Sequence, residues 1–173
     1  MIDTDRQRDL AAEVITALAS AGLSLAVAES LTGGAVLADL VRIPGASAVL
    51  RGGVVAYDTA LKASLLAVPP GLLAEHGAVH PDVVARMAEG VRLAAAIDGH
   101  PADIGVATTG VAGPDKQAEA PVGLVYIAVA DAAGTEVREH RFAGDRATIR
   151  AQAVRAALQL LADRVTGEAR SSH

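Results

Sequence analysis

Leu10, Val14, Leu18 and Ala21 recur at helical spacing from about Asp5 onward, and Gly22 closes the pattern as a left-handed C-terminal cap does. The run LSLAVA, Leu23 to Ala28, is short, apolar and bounded by Gly22 and polar residues, which predicts a buried strand. Helical spacing returns from Gly33 to Val41 and stops at Pro44 and Gly45. Val49 to Tyr57 predicts a second strand, in which Gly52 and Gly53 mark a bulge or a close backbone approach. A short helix over Ala60 to Leu66 and a turn at VPPG follow. Pro81 suits the first position of a helix whose face of Val84, Met87, Ala88 and Val91 continues toward Ala96. Ile104 to Ala107 predicts a third strand leading into TTGVAGP, and Gly123 to Ala130 a fourth, with a polar, mobile loop DKQAEAP between them. The link AAG joins that strand to TEVREHRF, which alternates as a half-exposed antiparallel strand does. A last amphipathic helix from Asp145 carries Ile149, Val154, Leu158 and Leu161.

Strands alternating with helices and ending in a hairpin predict an α/β fold: a three-layer α/β/α sandwich with a mixed, mostly parallel sheet. One domain over residues 1–166 accounts for the pattern. The tail 167–173 has nothing to bury and is expected to be disordered. Of the 173 residues 51% are hydrophobic but only 2% aromatic, so the core is built from Ala, Val, Leu and Ile. The absence of cysteine excludes disulfides and thiolate chemistry. The charged N-terminal turns do not resemble a signal peptide, and no uninterrupted apolar run reaches the length of a membrane span. A cytoplasmic protein with no membrane partner is therefore expected. The net charge of −5 and pI near 5.5 argue against nucleic acid as a main ligand. Alanine-rich helix faces suit a homo-oligomer.

In an open α/β sheet, ligands bind beyond the carboxyl ends of the strands. Glu29, Ser30 and Thr32 follow the first predicted strand, Tyr57 and Lys62 the second, and Thr108, Thr109 and Gly110 the third. Arg146 and Arg150 open the last helix. The stretch AESLTGG is the most pointed of these. Ser30 or Thr32 either caps the following helix or carries chemistry, and spacing leaves the two readings equal. LTGGAV matches neither a dinucleotide fingerprint nor a phosphate loop. A strand, a turn bearing Ser and a helix has the geometry of a nucleophile elbow, whose helix-start amides can stabilise an oxyanion. No histidine follows in a position to serve as its base, but a lysine held neutral by desolvation is a substitute. His76 and His80 lie four apart, with GAV between them and Pro81 after, which indicates a turn and no metal site.

AESLTGG, AYDTALKASLLAV, EHGAVHPDVVARMAEG, ATTGVAGP, PVGLVYIAV and FAGDRATIR together resemble, in order, the blocks of the CinA C-terminal domain, the nicotinamide-nucleotide amidase (PncC) family, over about Leu10 to Leu161. The resemblance implies a stand-alone amidohydrolase domain that converts nicotinamide mononucleotide to nicotinate mononucleotide and ammonia, with no metal or cofactor. It implies Ser30 as nucleophile, Lys62 as general base and Tyr57 beside them. Glu29, Thr32, Gly33, Gly34, Thr109, Gly110, Arg146 and Arg150 would hold the substrate, one of the two arginines meeting its phosphate. Three positions depart from the family pattern: Thr59 stands for an Asn, His80 for a small capping residue, and KQAEA for a glycine-rich loop. The alternative is a catalytically silent nucleotide-binding or interaction domain, since helix-start amides suit a phosphate equally well.

Overall fold

The computed structural model describes residues 9–167. The predicted start of the first helix at Asp5, and the expected disorder of the tail beyond Gly167, lie outside the described residues. In chain order the elements are α1 (Leu10–Ala21), β1 (Leu25–Glu29), α2 (Ala35–Val41), β2 (Leu50–Val55), α3 (Thr59–Leu66), α4 (Pro70–His76), α5 (Pro81–Ala94), β3 (Ile104–Gly110), β4 (Leu124–Asp131), β5 (Gly134–Arg141) and α6 (Arg146–Thr166). The strands form one sheet in the order β2-β1-β3-β4-β5. β1 pairs in parallel with β2 and β3, whereas β4 is antiparallel to both of its neighbours, so four of the five strands run the same way.

The sheet is the middle layer. Val27, Val106, Ile127 and their neighbours bury one face under α1, α2 and α6. Small residues, Ala26, Ala28, Ala107 and Ala128, make up the other face, which lies under α5. These small side chains let α5 press close to the sheet. Gly105 and Gly90 complete the approach: a Cβ at Gly105 would overlap the Ala88 carbonyl oxygen, and one at Gly90 would overlap that of Leu66. α3 therefore meets α5 backbone to backbone, which fixes the helix that carries Lys62.

Sequence and structure differ at a few boundaries. β3 continues to Gly110, three residues past the predicted end, because its polar last residues pair with β4. VPPG is a helix start and not only a turn: Pro69 stands at the N-cap of α4 and Pro70 opens it, where proline loses no hydrogen bond. The expected bulge is present, since Leu25 faces Leu50 but Ala26 faces Gly52. Arg51, pushed out of register, donates to the carbonyls of Ala95 and His100 at 3.2 and 2.6 Å. No helix among the described residues is long and apolar enough to cross a membrane.

Candidate active site

The chain leaves β1 through α2 on one face of the sheet and reaches β3 through α3 to α5 on the other. The crevice this opens, beyond the carboxyl end of β1, is where an open α/β sheet takes its ligand. Ser30 is the first residue there. Its amide donates to the Thr108 carbonyl at 3.1 Å, extending the β1–β3 ladder by one step, while the Glu29 carbonyl accepts from Ala56 at 2.9 Å. The chain then turns sharply: the Gly33 amide donates to the Ser30 carbonyl at 3.0 Å, and Gly33 and Gly34 take φ of +61° and +95°, a region costly for residues with a Cβ.

Lys62 meets Ser30 from α3. It is 0% exposed, its Nζ donates to the Ala56 carbonyl at 2.7 Å, and it lies 3.1 Å from Ser30 Oγ. Among the described residues no carboxylate forms an ion pair with it. Burial lowers its pKa from an ordinary 10.5 to about 8, against the smaller opposing pull of Asp58. A neutral amine is thus accessible near neutral pH, and a neutral amine accepts the proton that an ammonium would donate.

A cleft of about 160 Å³ opens over this pair, lined also by Tyr57, Thr109, Gly110, Asp115 and Arg146. Ser30 is 8% exposed at its floor, whereas Tyr57 at its rim is 58% exposed. Arg146 bridges the rim, donating to the Gly113 carbonyl at 2.7 Å and to the Tyr57 hydroxyl at 2.9 Å. Both partners are neutral, so its charge is not offset by a carboxylate among the described residues. A larger concavity, about 550 Å³, lies between α1, α2 and α6, where Arg42 is paired with Asp9 and Asp39; among the described residues no serine, lysine or histidine lines it.

Several predicted substrate contacts prove to be engaged elsewhere. Glu29 is 1% exposed, and its carboxylate accepts the amides of Gly34, Val36 and Leu37 at 3.0, 3.1 and 2.8 Å. It caps α2, whose N-cap residue, Gly34, has no side chain with which to do so. The amides of Gly33 and Gly34 are therefore occupied within the turn, which corrects their expected role as oxyanion donors. Thr32 points its hydroxyl at that of Thr108, 2.8 Å away, and is wholly buried. Arg150 donates to the carbonyls of Leu31 and Thr32 at 3.0 and 2.8 Å, and faces the turn from outside the cleft lining. Thr109 does line the cleft, but its hydroxyl donates to the Ala78 carbonyl at 2.7 Å, tethering the α4–α5 connection.

At the rim, sequence reasoning named Tyr57 and Arg146 but missed Asp115 and Gln117. Gln117 and Ala120 exchange backbone hydrogen bonds at 3.1 and 2.9 Å, so the loop expected to be mobile closes a tight turn that brings Asp115 and Gln117 to the cleft. Their polarity inside a stretch following a strand end was the available signal. Of the departures from the family pattern, Thr59 is the exposed first residue of α3 and His80 caps α5, its Nδ1 accepting from Asp82 at 3.3 Å. The His76 and His80 rings stack with centroids 4.1 Å apart across the expected turn.

The profile of the CinA C-terminal domain matches residues 7–165. A CinA-like protein of Frankia casuarinae is 47% identical over 154 residues, 89% of this chain and 34% of that protein. One from Geobacter sulfurreducens is 45% identical over 145 residues, 83% of this chain and 34% of that protein. The chain thus spans about a third of the length of these curated relatives. Among solved structures, a competence-damaged protein (CinA) superfamily protein from Klebsiella pneumoniae superposes with a TM-score of 0.86 at 34% identity, covering 93% of this chain and 99% of that one. The competence/damage inducible protein CihA from Agrobacterium tumefaciens gives 0.82 at 37% identity, covering 88% and 92%. A matching profile over nearly the whole chain, relatives at this identity and a shared architecture lead to one conclusion: the chain belongs to the CinA C-terminal domain family.

Proposed function

We propose that this domain is an amidohydrolase acting on nicotinamide mononucleotide through a Ser-Lys pair, releasing ammonia and nicotinate mononucleotide in pyridine-nucleotide salvage. The observation that carries the reading is Lys62: a fully buried amine without a carboxylate partner among the described residues, 3.1 Å from a serine hydroxyl at the floor of a cleft. A lysine that only stabilised the fold would have an acidic partner or reach solvent.

In this mechanism neutral Lys62 takes the Ser30 proton as Oγ attacks the carboxamide carbon, giving a tetrahedral oxyanion. The amides of Leu31 and Thr32 are its donors; among the described residues neither has another partner, while Ser30 and residues 33–37 all donate elsewhere. Lys62 then passes its proton to the departing ammonia, leaving an ester on Ser30. Water, deprotonated by the same lysine, hydrolyses that ester to the carboxylic acid. Between the two arginines, Arg146 is the one suited to the phosphate, because it stands on the rim with only neutral partners, whereas Arg150 grips the turn.

An ammonia-release assay on nicotinamide mononucleotide, the dinucleotide and free nicotinamide tests the reading. Ser30→Ala is expected to reduce turnover by about 10⁴-fold or more while leaving binding by calorimetry intact. Full turnover in that variant refutes the nucleophile, and binding without ammonia release from the wild type selects the silent-domain alternative.

A further inference from the structure

The turn after β1 has an orderly pattern of occupied backbone groups. The Ser30 carbonyl accepts from Gly33, the Thr32 carbonyl accepts from Ala35, and the α2 amides are taken by Glu29. The Leu31 and Thr32 carbonyls are both gripped by Arg150, through Nε at 3.0 Å and Nη2 at 2.8 Å. Among the described residues, what remains unengaged is the pair of amides of Leu31 and Thr32, directly after the serine. Arg150 acts on one of these through a single rigid unit. The Leu31 carbonyl and the Thr32 amide belong to the same planar peptide and point in opposite directions, so holding the carbonyl sets where the N–H aims. A cation on the carbonyl also polarises that peptide, strengthening its N–H as a donor.

The anchor is well chosen for the purpose. Arg150 is on the first turns of the 21-residue α6, next to Ile149, which is buried in the main core, so the guanidinium is held by a long element and not by the turn it supports. Gly33 is required for the turn itself, whose φ of +61° is costly for a residue with a Cβ, and the guanidinium packs against it at ordinary contact distance.

We infer that Arg150 is a positioning residue for the reaction: by fixing the Leu31–Thr32 peptide it aims the Thr32 amide at the oxyanion of the adduct formed on Ser30, and it does not bind substrate. This rests on the reading of Ser30 as the nucleophile. It separates two arginines one helical turn apart on α6, Arg146 facing the substrate and Arg150 facing the backbone behind it.

The test uses a fluorophosphonate probe, from which serine displaces fluoride to leave a tetrahedral phosphonate whose polar phosphoryl oxygen sits where the oxyanion forms, and follows labelling of Ser30 by intact mass. Arg150→Ala is expected to slow labelling about tenfold or more, since loss of an oxyanion donor costs roughly 10²–10³ and a misaimed one costs part of that. The pH profile of labelling keeps its midpoint, because Lys62 is untouched. Guanidinium at sub-denaturing concentration restores the rate, and Arg150→Lys, with the charge but without the fork, falls between the two. In the amidase assay the same variants lose kcat with KM unchanged. Labelled wild type with an Arg150→Ala rate within twofold of it overturns this inference alone. A midpoint that moves with the rate also overturns it, because the effect then runs through Lys62. A wild type that is not labelled at Ser30 overturns both this and the nucleophile reading. Should Arg150→Ala not unfold cooperatively, Arg150→Lys decides in the same assay.

Discussion

The floor of the cleft and its rim are held by different means. On the floor, Ser30 is tied into the sheet by its own amide, its turn is closed by backbone bonds, and Lys62 is sealed from solvent. At the rim, an exposed tyrosine, an arginine and a short turn over residues 117–120 meet through a few hydrogen bonds in water. Bonds made in the dry interior hold groups to fractions of an ångström, while those at the surface exchange with solvent and let the groups adapt. Chemistry is thus expected to depend on the floor and substrate preference on the rim, so that floor variants change kcat and rim variants change KM.

The sharpest way to break this division is Lys62→Met. It removes the proposed base and is expected to lower turnover by about 10³-fold or more, measured by ammonia release. In the wild type, turnover should rise with pH and level off above about 8, as Lys62 becomes neutral. Stability follows the same group. The folded-state pKa lies below the unfolded one, so the unfolded chain binds more protons between pH 8 and 10.5, and the folded protein gains stability as pH rises through that window. The gain is about 3 kcal/mol in the wild type and absent in the variant, as urea unfolding at several pH values would show. A variant with the same slope would remove Lys62 from the account.

Glu29→Gln addresses the floor without touching the reacting atoms. It replaces a carboxylate accepting three amides by a group that must present an NH₂, and should cost about 1.5–3 kcal/mol of stability by denaturant titration. An effect below about 0.5 kcal/mol would mean that α2 needs no cap. At the rim, Arg146→Ala should raise KM for the nucleotide about tenfold, roughly 1.4 kcal/mol, and leave free nicotinamide unchanged. A loss confined to kcat would move Arg146 to the floor. Tyr57→Phe, which removes one exposed hydrogen bond to Arg146, should give the smallest change, about 2- to 5-fold in KM.

The architecture was legible because apolar runs and glycine or proline stops recur at strand and helix spacing, and the sheet and hairpin follow from that pattern. Helix α4 was not, since Pro69 and Pro70 signal a turn and a helix start alike. Ser30 and Lys62 stand 32 residues apart, and no periodicity links them; their pairing came from resemblance to a family. Glu29, which follows a strand end, and Arg150, which opens the last helix, were read as substrate contacts. In the structure both engage backbone groups, which leave no mark in a sequence. One clue was present for Glu29: α2 begins after two glycines with no acid in its first turn, so its cap had to come from elsewhere. For Arg150 there was none, because its carbonyl partners lie 118 and 119 residues away.

The burial of Glu29 has one more consequence, in the language of electrical insulation. A negative charge one residue from Ser30 would ordinarily hold a proton on a nearby lysine. Here that charge is met by the amides at the positive end of α2, and the opposing influence on Lys62 comes from Asp58. Helix α2 acts as a ground connection for the acid beside Ser30, and leaves the amine across from it free to lose its proton.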